Sequence, residues 1–214
     1  MAKIVVFGAG GKAGRRVVAE AVERGHEVTA VVRDPAKHAG LEGAGVRLVA
    51  GDVTEAKSVA AAAAGQDAAV STVFRADADP GEFYTAAAQA LVAGLVEAGV
   101  ERVVTVGVGT ALEVAPGTAV HDTAEFPAEY RGFSVGHSSE IAILTDSALD
   151  WVVATPPPAV LDDAAERTGS YRSGGTSVLP PVEGAPAFSY ADLAVALVDE
   201  AVEPKHHREV VAVG

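Results

Sequence analysis

A seven-residue stretch, Gly8-Ala9-Gly10-Gly11-Lys12-Ala13-Gly14, joins a short apolar run at residues 3–7 directly to a segment with helical spacing. The segment 12–24 carries Ala13, Val17, Val18, Ala21 and Val22 on one face, and Gly25 stands where a C-terminal helix glycine belongs. A strand that passes through glycines straight into a helix is the opening of a parallel βαβ unit. The alternation then continues. Apolar runs at 26–32, 46–50, 68–72, 102–106, 151–155 and 209–213 read as strands, separated by helical patterns at 55–64, about 81–98, 138–147 and 189–201. Thr54 is the expected cap of the helix at 55–64. The strands are continuously apolar rather than alternating, as burial on both faces requires. The expected fold is therefore α/β, a doubly wound, Rossmann-like parallel sheet with helices on both faces.

At 214 residues, 49% of them hydrophobic, the chain suits a single domain spanning 1–214 with a substantial core. Sixteen Lys and Arg against 29 Asp and Glu give a net charge of −13. That balance argues against nucleic acid or an anionic membrane as partner, because both need a positive field. There is no cysteine, which removes disulfides, thiol catalysis and thiolate metal sites together. No apolar run approaches a membrane span, and the one at the start is too short for a signal sequence, so a soluble cytoplasmic protein is expected. Two irregular stretches, 107–133 and 156–186, follow strands and should lie at the carboxyl edge of the sheet. Open α/β sheets bind their ligands there.

The glycine turn fits either G-x-x-G-x-x-G (Gly8, Gly11, Gly14) or G-x-G-x-x-A (Gly8, Gly10, Ala13). In both readings the missing Cβ atoms allow a tight turn and let a pyrophosphate approach backbone amides at a helix N-terminus. Gly8, Ala9, Gly10, Gly11, Lys12, Ala13 and Gly14 are thus the candidate diphosphate-binding residues; the plain alternative is a structural turn. A Walker A loop fails, because Lys12 is followed by Ala13 rather than Ser or Thr. At the end of the second strand an acid would bond a ribose 2′-hydroxyl, whereas an arginine would take a 2′-phosphate. Arg33 comes first there and Asp34 precedes Pro35, where it can open a turn, so NADP(H) is favoured over NAD(H). The alternative for Arg33 is an ordinary solvated charge. Asp52 and Val53 end the third strand, placed to bond and pack an adenine, or else to start a helix.

No tyrosine is followed four residues on by lysine: Tyr84, Tyr130, Tyr171 and Tyr190 face Ala88, Ser134, Gly175 and Ala194. The Tyr/Lys chemistry of classical short-chain dehydrogenases is therefore absent, and at the end of the fifth strand only Thr105 and Thr110 carry hydroxyls near the expected serine. There is no H-E-x-x-H pair, so no metal site is expected, and no hydrolytic triad is expected either. His206-His207 reads as a solvated loop. His137, opening the helix at 138–147, is the one catalytic candidate, an imidazole able to donate a proton to a bound heterocycle. Its alternative is a capping or surface histidine.

These blocks resemble a known family. The glycine turn, Val31-Val32-Arg33-Asp34-Pro35, Gly51-Asp52-Val53, Thr155-Pro156-Pro157, Arg167-Thr168-Gly169-Ser170-Tyr171-Arg172 and Ser189-Tyr190-Ala191-Asp192-Leu193-Ala194 are similar to the atypical short-chain dehydrogenase/reductase group of NAD(P)H-binding proteins. Leu112–Gly117 and Asp122–Tyr130 look most like its NADH-flavin reductases. The resemblance implies a Rossmann-fold protein that binds NAD(P)H and reduces a flavin. It implies Thr155, Pro156 and Pro157 beside the nicotinamide carboxamide, with Ser71, Thr72, Val73, Val106 and Gly107 along the ribose and nicotinamide. The related biliverdin reductase B-like proteins carry a histidine at the place of His137, but Pro158 stands where they have a second one. The expected activity is hydride transfer from NADPH to a small planar acceptor, a flavin or quinone bound as substrate. Phe126, Tyr130, Phe133 and Tyr171 are the candidate pocket walls, or residues that pack the loops down. The competing reading is a non-catalytic redox sensor of the NmrA-like kind. A nucleotide-sugar epimerase or dehydratase is disfavoured by the short stretch after Thr155.

Overall fold

Apolar residues open the chain as β1 (Lys3–Phe7), and Gly8, at a left-handed φ of 77°, turns it into α1 (Lys12–Glu23). The structure is a computed structural model describing residues 1–214. The chain continues through β2 (Glu27–Val32), β3 (Val46–Ala50), α2 (Ala56–Ala63), β4 (Ala68–Ser71), α3 (Pro80–Ala98) and β5 (Arg102–Val106). A small hairpin, β6 (Glu113–Ala115) and β7 (Thr118–Ala119), precedes α4 (Ala128–Asp146). Then come β8 (Asp150–Thr155), β9 (Ser173–Gly174), α5 (Tyr190–Val202) and β10 (Glu209–Val213). The main sheet runs β3-β2-β1-β4-β5-β8-β10-β9, parallel throughout except for β9 against β10. Chain direction across the sheet reverses between β1 and β4, a switch point that leaves a crevice at the strands' carboxyl ends.

Period-two alternation sends neighbouring apolar residues to opposite faces. Ile4, Val6, Val104 and Val152 pack under α1 and α5 with Val17 and Leu197. Val5, Phe7, Val103 and Val153 pack under α2, α3 and α4 with Val59, Leu91 and Leu144. Each face carries its own buried cluster, and the doubly wound fold expected from the strand pattern is the one observed. No helix is long and apolar enough to cross a membrane.

Two expectations need correction. Thr54 does not cap α2: Glu55 occupies the N-cap position without a side-chain bond, while Thr54 turns back onto Asp52. More consequentially, α4 begins at Ala128, ten residues ahead of the expected 138, and absorbs the end of the first irregular stretch. Gly132 and Gly136 hide the helical pattern there. Gly136 has a packing reason, because a Cβ on it would lie 2.8 Å from the Pro80 carbonyl oxygen and 3.1 Å from the Tyr84 ring. The missing side chain lets α4 close against α3.

The second irregular stretch is latched to the α1–α5 layer. Arg167 donates two hydrogen bonds to buried Glu20, at 2.8 and 2.9 Å. The amides of Thr168 and Gly169 donate to Asp192, and the Tyr171 hydroxyl donates to Asp199. Tyr171 is therefore part of a latch and does not line the cleft described below. The Arg167 bonds, with those from Arg24, outweigh burial and hold Glu20 below its ordinary 4.5. A depressed carboxylate stabilises the fold fully above its unfolded pKa and loses that contribution as pH falls through the lower folded value. Melting curves from pH 6 to 3 should accordingly show wild type losing about 1.5 kcal/mol more than Glu20→Gln, the scale of a hydrogen bond to a charged group; parallel curves would remove Glu20 from the latch.

Candidate coenzyme cleft and acceptor wall

The carboxyl ends of β1, β2, β4 and β5, with the segment after β8, open on one cleft of ≈ 990 Å³, at the upper end of ordinary ligand sites. Its floor is the glycine turn. At Gly8 a Cβ would sit 2.9 Å from the Thr72 backbone, and at Gly14 only 2.2 Å from the Gly8 carbonyl oxygen. These two glycines are demanded by the turn itself. Gly10 differs, since the atoms nearest its Cβ all belong to the His38 imidazole, the closest 2.4 Å away, on the cleft side. Gly11 caps α1 with no side-chain bond, and no acidic residue stands in the first turn. The helix thus presents unshielded amides and the positive end of its dipole to the cleft. Arg15 donates to the Gly10 carbonyl at 2.9 Å, bracing the turn. Gly8, Gly10, Gly11, Lys12 and Ala13 line the cleft, whereas Ala9 and Gly14 lie buried beneath it.

At one end, Arg33, Asp52 and Val53 come together. Asp34 does not join them; it accepts from the Ala36 amide and pairs with Lys37. Burial raises the Asp52 pKa, but the Thr54 hydroxyl and amide, with the charges of Arg75 and Arg33, more than offset it and keep the carboxyl below its ordinary range. Arg75, paired with Asp77 at 3.1 Å, also borders the cleft. Arg15, His38 and Arg75 escaped the sequence reading. Arg15 follows the glycine turn directly in α1, whereas the segments carrying His38 and Arg75 come to the cleft only through the tertiary fold.

Toward the other end, Thr72, Val73, Val106, Gly107, Pro156 and Pro157 line the cleft. Ser71 and Thr155 are buried just behind them, at 2% exposure each. The Thr155 hydroxyl fills the space a Cβ on Gly107 would take, 2.3 Å from it. The Ser71 hydroxyl has no protein partner.

The facing wall comes from α4 and the segment before it. Phe126, Tyr130, Phe133, Ser134 and His137 line it. His137 lies inside α4 rather than opening a helix, and is 5% exposed. Its ring lies against Tyr84, tilted by 36° with centroids 3.9 Å apart, and meets Phe133 edge-on at 5.0 Å. Its Nδ1 is 3.2 Å from the Glu140 carboxylate. Burial, then the charge of Glu140, pushes the Tyr84 hydroxyl well above its ordinary pKa, so that phenol stays protonated. Across from Phe133 stands Phe74, at 5.9 Å and edge-on. Thr110 and Ser134 share a hydroxyl–hydroxyl bond of 2.6 Å on the same wall. Ser134, His137 and Glu140 recur at i, i+3 spacing, a signal readable in the sequence only once α4 is known to start at Ala128.

A turn whose glycines leave no room for Cβ atoms, a bare helix N-terminus, and a cleft at the sheet's switch point define a dinucleotide-binding protein of the doubly wound class. Residues 8–204 match the NAD(P)H-binding family, and the chain belongs to it. It is similar over its whole length to a solved structure from Burkholderia pseudomallei, provisionally named an exported protein, at 37% identity, full coverage of both chains and a TM-score of 0.86. A Bacteroides thetaiotaomicron structure, provisionally named an epimerase, is 31% identical, with 100% of this chain and 96% of that one covered and a TM-score of 0.87. A Streptococcus pneumoniae structure, provisionally named an NADH-flavin reductase, is 27% identical over 100% of this chain and 99% of its own, at a TM-score of 0.85.

Proposed function

We propose that this protein is an NADPH-preferring reductase that passes a hydride to a small planar acceptor, a flavin or quinone that enters and leaves as substrate. The observation that carries the reading is the aromatic wall of Phe133, Tyr84 and His137 on the same cleft as Val106, Gly107 and Pro156. The name of the Streptococcus pneumoniae relative supports it. The amides of the glycine turn would hold the diphosphate, Arg33 the 2′-phosphate, and Asp52 with Val53 the adenine. When bound, the reduced coenzyme supplies the hydride. The chain's own contribution is positional: an acceptor ring laid against Phe133 and flanked by Phe74 and Tyr130 is held where little further reorganisation is needed. His137, doubly protonated before the transfer, donates the proton that balances the hydride and keeps the other, so that NADPH, one proton and the oxidised acceptor give NADP⁺ and the two-electron-reduced acceptor.

Steady-state oxidation of NADPH with FMN, FAD and quinones, at catalytic protein concentration, tests this directly. His137→Ala should lower kcat about tenfold, short of the usual ~10²–10⁴ for general-acid catalysis because water can protonate a reduced flavin, while NADPH affinity stays unchanged. Unchanged turnover would take the proton donation away from His137. A second reading, a redox sensor that binds coenzyme without turnover, is favoured by one observation: Tyr130 lines the cleft with Ser134, not lysine, four residues on. Stoichiometric binding with no turnover on any acceptor would establish it instead.

A further inference from the structure

The buried face of α4 carries Ser134, His137, Glu140 and Leu144 in succession, none more than 5% exposed. Glu140 is the one acid on that face. A carboxylate taken out of water this far is costly unless something compensates it. No lysine or arginine does so; its ion-pair partner is His137, at 3.2 Å from Nδ1. From α3 the group facing this pair is the Tyr84 phenol, which burial and the charge of Glu140 keep protonated.

We infer that Glu140 is a positioning residue: it keeps a proton on Nδ1 of His137, so that Nε2 is the nitrogen offered to the cleft. An ionised carboxylate only accepts hydrogen bonds, so the Nδ1 it faces must be the donor. Which nitrogen of an imidazole carries the proton is set by the bond the other makes. The ring cannot readily reverse, because Tyr84 covers one face at 3.9 Å and Phe133 abuts it at 5.0 Å. An acid, an oriented imidazole and an open cleft position follow in line, the arrangement by which a third group aims a proton-transferring histidine. The inference deepens the reductase reading and rests on it for what Nε2 does, but not for where the Nδ1 proton sits.

The test reads that proton without coenzyme or turnover. Long-range ¹H–¹⁵N correlation spectra of protein labelled at histidine, with His137→Asn identifying the resonance, should show a protonated Nδ1 in wild type. Glu140→Leu should move more than half of the population to an unprotonated Nδ1. Glu140→Gln, whose amide oxygen can accept the same bond, should restore the wild-type spectrum. Glu140→Leu should also lower kcat severalfold with KM for NADPH unchanged, and Glu140→Gln should recover most of that loss. A wild-type Nδ1 without its proton, or a Glu140→Leu spectrum like that of wild type, overturns the inference. If Glu140→Leu does not fold, the wild-type and Glu140→Gln spectra decide it. A protonated Nδ1 beside a fully active His137→Ala enzyme upholds the role of Glu140 and removes the proton-donor role of His137.

Discussion

Gly10→Val is expected to fold as wild type does and to bind NADPH at least about a hundredfold more weakly, a loss of roughly 2.7 kcal/mol. Gly10 lies outside the left-handed region, so its backbone tolerates a side chain. The added atoms would meet the His38 ring, the far end of a side chain that can swing aside. What remains are branched methyl groups standing over the amides that a diphosphate would use. Gly14→Ala makes the contrast: its Cβ would strike the Gly8 carbonyl, which is backbone and cannot yield, so the turn itself should be strained by about 1–3 kcal/mol. Weak binding by Gly14→Ala would therefore report a damaged turn, whereas in Gly10→Val it reports a blocked site. Circular dichroism melts run beside fluorescence titrations separate the two. Wild-type affinity in a folded Gly10→Val protein would place the diphosphate somewhere other than this turn.

Arg33→Ala should cost NADPH about fiftyfold in affinity and leave NADH within about twofold, since hydrogen bonds to charged groups contribute roughly 1.5–3 kcal/mol and the 2′-phosphate is all that distinguishes the coenzymes. Arg33 borders the cleft at the end of β2, while the neighbouring Asp34 is occupied by the Ala36 amide and Lys37. That leaves the cation, not the acid, available to a coenzyme ribose. Arg75 shares this end of the cleft, which is why the expected loss stops short of complete. Paired titrations with the two coenzymes decide the matter; equal losses for both would mean that Arg33 acts on something common to them.

How far the sequence carried these conclusions varied with the range of the forces involved. β3 (Val46–Ala50) and β5 (Arg102–Val106) were readable to the residue, because an apolar run ending at glycine is a local signal. The glycine turn was equally local. The start of α4 was not: Gly132 and Gly136 resemble loop residues until the Pro80 carbonyl that Gly136 makes room for is known. Missing that start left His137 at a helix end instead of in a buried row with Ser134 and Glu140. Tyr171 resembled a pocket wall because an aromatic in an irregular stretch carries no sign of its hydrogen bond to Asp199, 28 residues away. Arg75 and His38 lie in connecting segments, and only the assembled sheet brings them to Asp52 and Gly10.

Isothermal titration calorimetry of the purified chain with NADPH and NADH bears most directly on the whole account. Heat that saturates at one coenzyme per chain, tighter for NADPH and abolished in Gly10→Val, is the predicted result. Injections that release no more heat than dilution, with either coenzyme in either redox state, would contradict it.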